Sequence, residues 1–271
     1  FVYICNGLVL NLPPENKPQN VGSKLNGITE YKNKKMRQLK GGVIIIGSLL
    51  WDENKIREEW RSKYLDSDKI CDVEVPIRYG RLSSSRDSVY TMIFSSELID
   101  SNEFGLGKFA PFKKNPVTFD ELILNCEELI KSEHKKEKLN FTSFNWNWGS
   151  LAIMFNPRLL NENTETVNYF IDEWKKKINE KFKPSDYILV NEKQILDEKA
   201  MLNFNWPKSI DDFDFFITTC NKLTSKQYPS ANEISEKFNE NGSNYFCKNI
   251  LNNITTFQDL KIKKNLKNDK I

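Results

Sequence analysis

The pattern of apolar and polar positions first becomes decisive at Gly42-Val43-Ile44-Ile45-Ile46. A β-branched run with no polar alternation predicts a strand buried on both faces. It stops at Gly47-Ser48, and a turn or helix follows. There Trp51, Ile56 and Trp60 read as apolar anchors, and Asp52, Glu53 and Arg57 read as facing water. Val73, Val75 and Ile77 alternate within Cys71 to Arg81, which predicts a strand with one buried face. Pro76 places an edge or a bulge in it. Val89 to Phe94 predicts another strand, and the Gly- and Pro-punctuated stretch 105–116 reads as a loop. Thr118 followed by Glu121 has capping-box spacing. Leu122, Ile123, Cys126, Leu129 and Ile130 then recur at helical spacing, which predicts an amphipathic helix over 119–136. Gly149 to Phe155 reads as a strand, Val167 to Phe182 as a second amphipathic helix, and Tyr187 to Val190 as a short strand.

The flanks read differently. Residues 13–40 are rich in Pro, Asn, Gly and Lys, so residues 1–40 are expected to be a poorly ordered lead-in. The chain opens on Phe1 without Met, which points to a fragment or an extended reading frame. Phe213, Phe216 and Ile217 give Ile210 to Lys222 a helical reading. Ala231 to Phe238 and Tyr245 to Leu251 read as short helices separated by Asn241-Gly242, and Thr255 to Leu260 as the start of another. The expected organisation is therefore an α+β domain over 41–206 and a helical C-terminal segment over 207–271.

Charge and cysteine usage narrow the chemistry. Forty Lys and Arg against 37 Asp and Glu leave a net charge of +3, too balanced to predict nucleic-acid binding. The basic runs 32–40 and 261–270 read as solvated flanks. Five cysteines are scattered without C-x-x-C spacing, which argues against a secreted disulfide framework. The single histidine, His134, has no neighbours at zinc-ligand spacing. It lies in a Lys-rich stretch and lacks the firmly held partner that a hydrolase triad needs. No apolar run approaches the roughly 20 residues that span a bilayer. The expectation is a cytoplasmic protein without metal or cofactor and without a nucleic-acid or membrane partner.

The break from Ile46 into Gly47-Ser48-Leu49 is the most informative point. A buried strand ending in Gly-Ser presents consecutive backbone N–H groups, which bind carboxylates or an oxyanion well. The run Ile44 to Trp51 resembles the opening of the γ-glutamylcyclotransferase-like superfamily, including its ChaC-type members. There a hydrophobic strand enters Tyr-Gly-Ser-Leu, often with Trp soon after. Pro76 to Arg86, followed by Tyr90 to Phe94, is similar to that group's Arg-aromatic-Ser-Arg stretch and next barrel strand. The resemblance covers roughly residues 42–155. It implies a small mixed β-barrel with flanking helices, to which the helical C-terminal segment is appended.

It also implies a cofactor-independent lyase or transferase that cyclises a γ-glutamyl amine or peptide to 5-oxoproline. Glu133, at the end of a helix and before a strand, fits the family's catalytic carboxylate. Gly47, Ser48 and Leu49 would hold the substrate carboxylate or the developing oxyanion. Ile46 stands where the family has an aromatic residue, and Glu133 precedes His134 rather than Gly. Glu127, Glu128 and Glu137 are close enough in sequence to compete for the role. Arg78, Arg81 and Arg86 cluster near a polar turn, and Arg78 and Arg86 are the expected clamps for a substrate carboxylate. Trp146 and Trp148 share one face of a strand, as core or as a ligand wall. Two other readings stand beside the enzyme. One is a non-catalytic protein of the same fold that binds an amino-acid-like ligand. The other is an interaction module using Phe213, Phe216, Phe238, Tyr245 and Phe257 on its C-terminal helices.

Overall fold

A computed structural model describes residues 38–84, 88–115, 117–139, 143–162 and 164–267. Most of the expected lead-in, and Arg86, lie outside them. Leu39 belongs to the core, fully buried and bridged to Val117, so the folded region begins before residue 41.

The fold is mixed α+β, built on one curled, half-barrel sheet. Its strands are β1 (Gly41–Ile45), β2 (Cys71–Val75), β5 (Gly105–Pro111), β6 (Asn145–Trp146), β7 (Gly149–Phe155) and β8 (Phe215–Asn221). Their order is β2-β5-β1-β8-β7-β6. The β1–β8 pair is parallel and the other pairs are antiparallel. A separate hairpin joins β3 (Ile77–Ser83) to β4 (Val89–Phe94). The α-helices are α1 (Lys55–Tyr64), α2 (Glu97–Ser101), α3 (Phe119–His134), α4 (Pro157–Glu162), α5 (Thr164–Lys175), α6 (Ala231–Asn241), α7 (Asn244–Leu251) and α8 (Asp259–Asn265).

The period of two along each central strand divides the core into two layers. Val43 and Ile45 of β1, Leu151, Ile153 and Phe155 of β7, and Phe215 and Ile217 of β8 face Trp60 of α1, Leu129 and Ile130 of α3, and Phe170 and Trp174 of α5. The alternate residues Ile44, Met154 and Phe216 face the β3–β4 hairpin and the C-terminal helices, through Tyr79, Met92, Phe238 and Phe246. Both faces of the sheet are therefore covered, which is why β1 reads as an unbroken apolar run.

Five sequence expectations are corrected. Residues 210–222 do not form a helix, because β8 lies between β1 and β7 and is buried along almost its whole length. The segment 207–271 is thus no appendage: its strand completes the sheet and its helices close one face. Phe216, Phe238 and Tyr245 are buried in that packing, and Phe213 and Phe257 are partly buried, so they form no exposed docking patch. The 105–116 stretch contains β5, and Tyr187 ends a short 3₁₀ turn (Pro184–Tyr187) rather than opening a strand. No helix among the described residues is long and apolar enough to cross a membrane.

Candidate functional site

A cavity of about 370 Å³ opens where β1 ends. Ile46, Gly47, Ser48 and Leu49 form one wall, and Glu133, His134 and Lys135 at the end of α3 form another. Thr219 and Asn221 of β8, Arg81 and Thr91 of the hairpin, Trp148 and Tyr245 complete it.

Beyond β1 the chain makes a single helical turn. Leu50 N–H donates to the Gly47 carbonyl (3.1 Å), and Asp52 N–H donates to the Ser48 carbonyl (2.8 Å). N–H groups at the head of such a turn have no acceptor within it. Gly47 is not needed here for a left-handed φ, since it is not among the described residues with a positive φ. It is needed for space: a Cβ at Gly47 would lie 2.5 Å from the Tyr245 hydroxyl. The α7 helix that carries Tyr245 is tied to the same turn by Trp51, whose indole N–H donates to Asn249 Oδ1 (2.8 Å).

Glu133 occupies the last turn of α3. The helix starts at a full Thr118/Glu121 capping box and ends at Lys135 in the left-handed region (φ 53°). Leu122, Cys126, Leu129 and Ile130 define its buried stripe, and Glu133 follows Leu129 by four residues and Ile130 by three, so it emerges on that stripe at the cavity. Its Oε1 accepts from Thr219 Oγ1 (2.7 Å) and its Oε2 from Arg57 Nη2 (3.2 Å). Among Glu127, Glu128, Glu133 and Glu137, Glu133 is the glutamate that lines the cavity.

Arg57 is the residue that the sequence reading placed wrongly. It does not face water: it is 2% exposed. Nη1 donates to Ser48 Oγ (2.8 Å) and Asp52 Oδ2 (2.9 Å), and Nε to the Ser132 carbonyl (3.0 Å). One guanidinium therefore ties the Gly47–Leu49 turn to the end of α3. Buried Arg is stable only when paired and hydrogen-bonded, as it is here. The available signal was helical phase, because Arg57 sits one turn before buried Trp60 on α1. Asp52 also binds Lys135 Nζ (2.9 Å). Burial raises the Asp52 carboxyl, but the Lys135 bond, the Asn54 N–H and the charges of Arg57 and Lys135 outweigh it and hold the group below the usual carboxylate range.

His134 packs against Trp146 (5.3 Å between ring centres) and Trp148 (5.4 Å), which contact each other at 5.1 Å. Burial pulls its imidazole below the ordinary value, against the opposing charge of Glu133. It is a neutral aromatic wall at neutral pH.

Of the two expected arginine clamps, the described residues include Arg78, which does not line the cavity. Arg78 is buried elsewhere, paired with Glu97 and lying 3.9 Å over the Tyr228 ring. Arg86 lies outside the described residues. Among the described residues Arg81, weighed in sequence only as part of the cluster, is the hairpin arginine that lines the cavity. The β3–β4 register shifts between Tyr79 and Arg81, where the Ile93 side chain fills the space beside Gly80. A bulge of this kind re-aims the side chain that follows it. Among the described residues no cluster of three or more His, Cys, Asp or Glu gathers as for a metal, and Cys71, Cys126, Cys220 and Cys247 are free thiols.

Comparison of the chain with protein-family models, with curated proteins and with solved structures returns no match in any of the three.

Proposed function

We propose that the protein is a cofactor-independent acyl-transfer enzyme of the γ-glutamylcyclotransferase type, releasing 5-oxoproline from a γ-glutamyl amine or peptide. One observation carries the reading: the Glu133 carboxylate and the Gly47-Ser48-Leu49 turn, more than eighty residues apart in sequence, line one cavity and are bridged by Arg57.

The reaction needs few groups. The substrate's α-amine attacks its own γ-carbonyl and forms the C–N bond of a five-membered lactam. Glu133 takes the proton that this nitrogen sheds and delivers it to the departing amine nitrogen as the original C–N bond breaks. Thr219 and Arg57 hold the carboxylate in place, each through a hydrogen bond to one oxygen, and leave further lone pairs on both oxygens for the proton in transit. The N–H groups of the Gly47 turn stabilise negative charge on the γ-carbonyl oxygen.

A second reading has its own support. Both Glu133 oxygens already accept protein hydrogen bonds, as in a site whose carboxylate shapes a binding pocket for an amino-acid-like ligand. One experiment separates the two. Release of 5-oxoproline is measured from a panel of γ-glutamyl amines and peptides, with Glu133→Gln beside the parent and thermal melts of both. The expected outcome is release by the parent and a loss of about 10²–10⁴-fold in the folded variant. Release that survives the substitution moves the proton shuttle to another group. No release from any compound by a well-folded parent leaves the binding reading.

A further inference from the structure

Arg81 differs from the other arginines of the described residues. Arg57 is paired with Asp52 and Glu133, Arg78 with Glu97, and Arg158 with Asp214. Arg61 donates to two backbone carbonyls and feels the charges of Glu58 and Asp52. Arg81 lines the cavity and donates through Nη1 to the Lys222 carbonyl (2.8 Å); no carboxylate of the described residues pairs with it. Burial pulls its guanidinium below the ordinary value. A cation that is partly desolvated without a counter-charge costs free energy, and that cost is recovered when an anion arrives.

The geometry selects the kind of anion. The Lys222 carbonyl fixes the guanidinium at one corner and leaves the Nε/Nη2 edge without a protein acceptor among the described residues. Two parallel donors on a planar edge match the two oxygens of a carboxylate. Ser83, Ser84 and Asn221 also line the cavity. Thr219 of β8 holds Glu133, and Lys222, the residue after the strand, holds Arg81. Three residues of extended chain separate these anchor points by roughly 10 Å. That span accommodates a small ligand with a carboxylate at one end and its polar centre at the other.

We propose that Arg81 forms a carboxylate-binding subsite at the hairpin end of the cavity, so that the natural ligand is a small molecule bearing a carboxylate. The subsite is argued from the cavity alone and holds whether or not the ligand is turned over; the test reads binding, whereas the cyclisation reading is tested by product release.

The probes are glutarate, its neutral diamide and inorganic phosphate, titrated calorimetrically into the full chain at low salt. Glutarate is expected to bind, the diamide to bind at least tenfold more weakly, and phosphate more weakly than glutarate. Arg81→Gln weakens glutarate by tenfold or more, and Arg81→Lys restores only part of the loss because an ammonium lacks the planar fork. Should the variants not fold, the unmodified chain still answers: modification of Arg81 by phenylglyoxal, read by mass spectrometry, is slowed by glutarate and not by the diamide. Equal binding of glutarate and diamide, no glutarate binding, or glutarate binding unchanged in folded Arg81→Gln each overturns the subsite. Phosphate binding as tightly as glutarate, with the same dependence on Arg81, overturns the assignment to a carboxylate.

Discussion

Gly47 has no room for a side chain, and the obstacle is the far end of one residue, the hydroxyl of Tyr245. Gly47→Ala is expected to cost about 1–3 kcal/mol, the usual range for forcing extra atoms into packed space. Tyr245→Phe removes the obstructing atom. The double variant is then less destabilised than the sum of the singles by at least about 1 kcal/mol, in a double-mutant cycle read by urea denaturation. Strict additivity would show that the glycine answers to something other than Tyr245. The residues of this site were unequally legible in sequence. Gly47-Ser48 announces itself, because a buried strand that stops at Gly-Ser must turn. Glu133 is singled out in sequence only by the resemblance, with Glu127, Glu128 and Glu137 as rivals; its position on the buried stripe of α3 is what the structure adds. Arg57 was hidden, since charge argues for solvent and only the phase set by Trp60 argues against it. Arg78 and Arg81 are indistinguishable in sequence. A bulge at Gly80 lies between them; Arg81 beyond it lines the cavity, and Arg78 before it packs on Tyr228.

At the scale of elements, legibility follows how local the determining signal is. The α3 helix carries its own start signal, and the capping box is present: Thr118 Oγ1 accepts from Glu121 N–H (3.3 Å), and Thr118 N–H donates to Glu121 Oε2 (2.8 Å). Thr118→Ala should therefore destabilise the protein by about 1 kcal/mol, with Thr118→Ser close to the parent. The midpoint of a urea melt should fall at unchanged slope. A fall no larger than that of Thr118→Ser would mean the cap is dispensable where tertiary contacts already hold α3. β8 reads as a helix in sequence because Phe213, Phe216 and Ile217 fit helical spacing. The continuous Phe215 to Thr219 run is also what a strand buried on both faces requires, and period alone does not separate these readings. β5 was misread because glycine usually signals a loop. Its Gly105 is there for close approach: a Cβ would lie 2.4 Å from the Thr255 carbonyl oxygen.

At the scale of the whole molecule, the C-terminal segment is structural because β8 joins β1 to β7 and because the final helices cap the face that bears Tyr79. Gln258 Oε1 accepts from Tyr79 N–H (2.8 Å), and Asp259 beside it accepts from Thr256 N–H (3.0 Å) and Thr256 Oγ1 (2.7 Å). Burial pushes the Asp259 carboxyl up to about 6, although both Thr256 bonds pull the other way. The folded state thus holds this proton more tightly than the unfolded chain, where a carboxyl titrates near 3.9. Between those two values the native state binds more protons, so the Asp259 contribution to stability falls as pH rises, and the loss is complete above the folded value. The shift corresponds to as much as about 3 kcal/mol between pH 4 and pH 7. Asp259→Asn abolishes the titration, though it also sacrifices a hydrogen bond, because its amide nitrogen cannot accept from Thr256. That sacrifice is the same at every pH and drops out of the slope. Urea melts of parent and variant at steps from pH 4 to pH 7 should show the stability difference moving steadily in favour of the variant. A difference that stays flat would mean that the Asp259 carboxyl titrates alike in both states, and that the contact between α8 and Tyr79 is hydrated rather than dry.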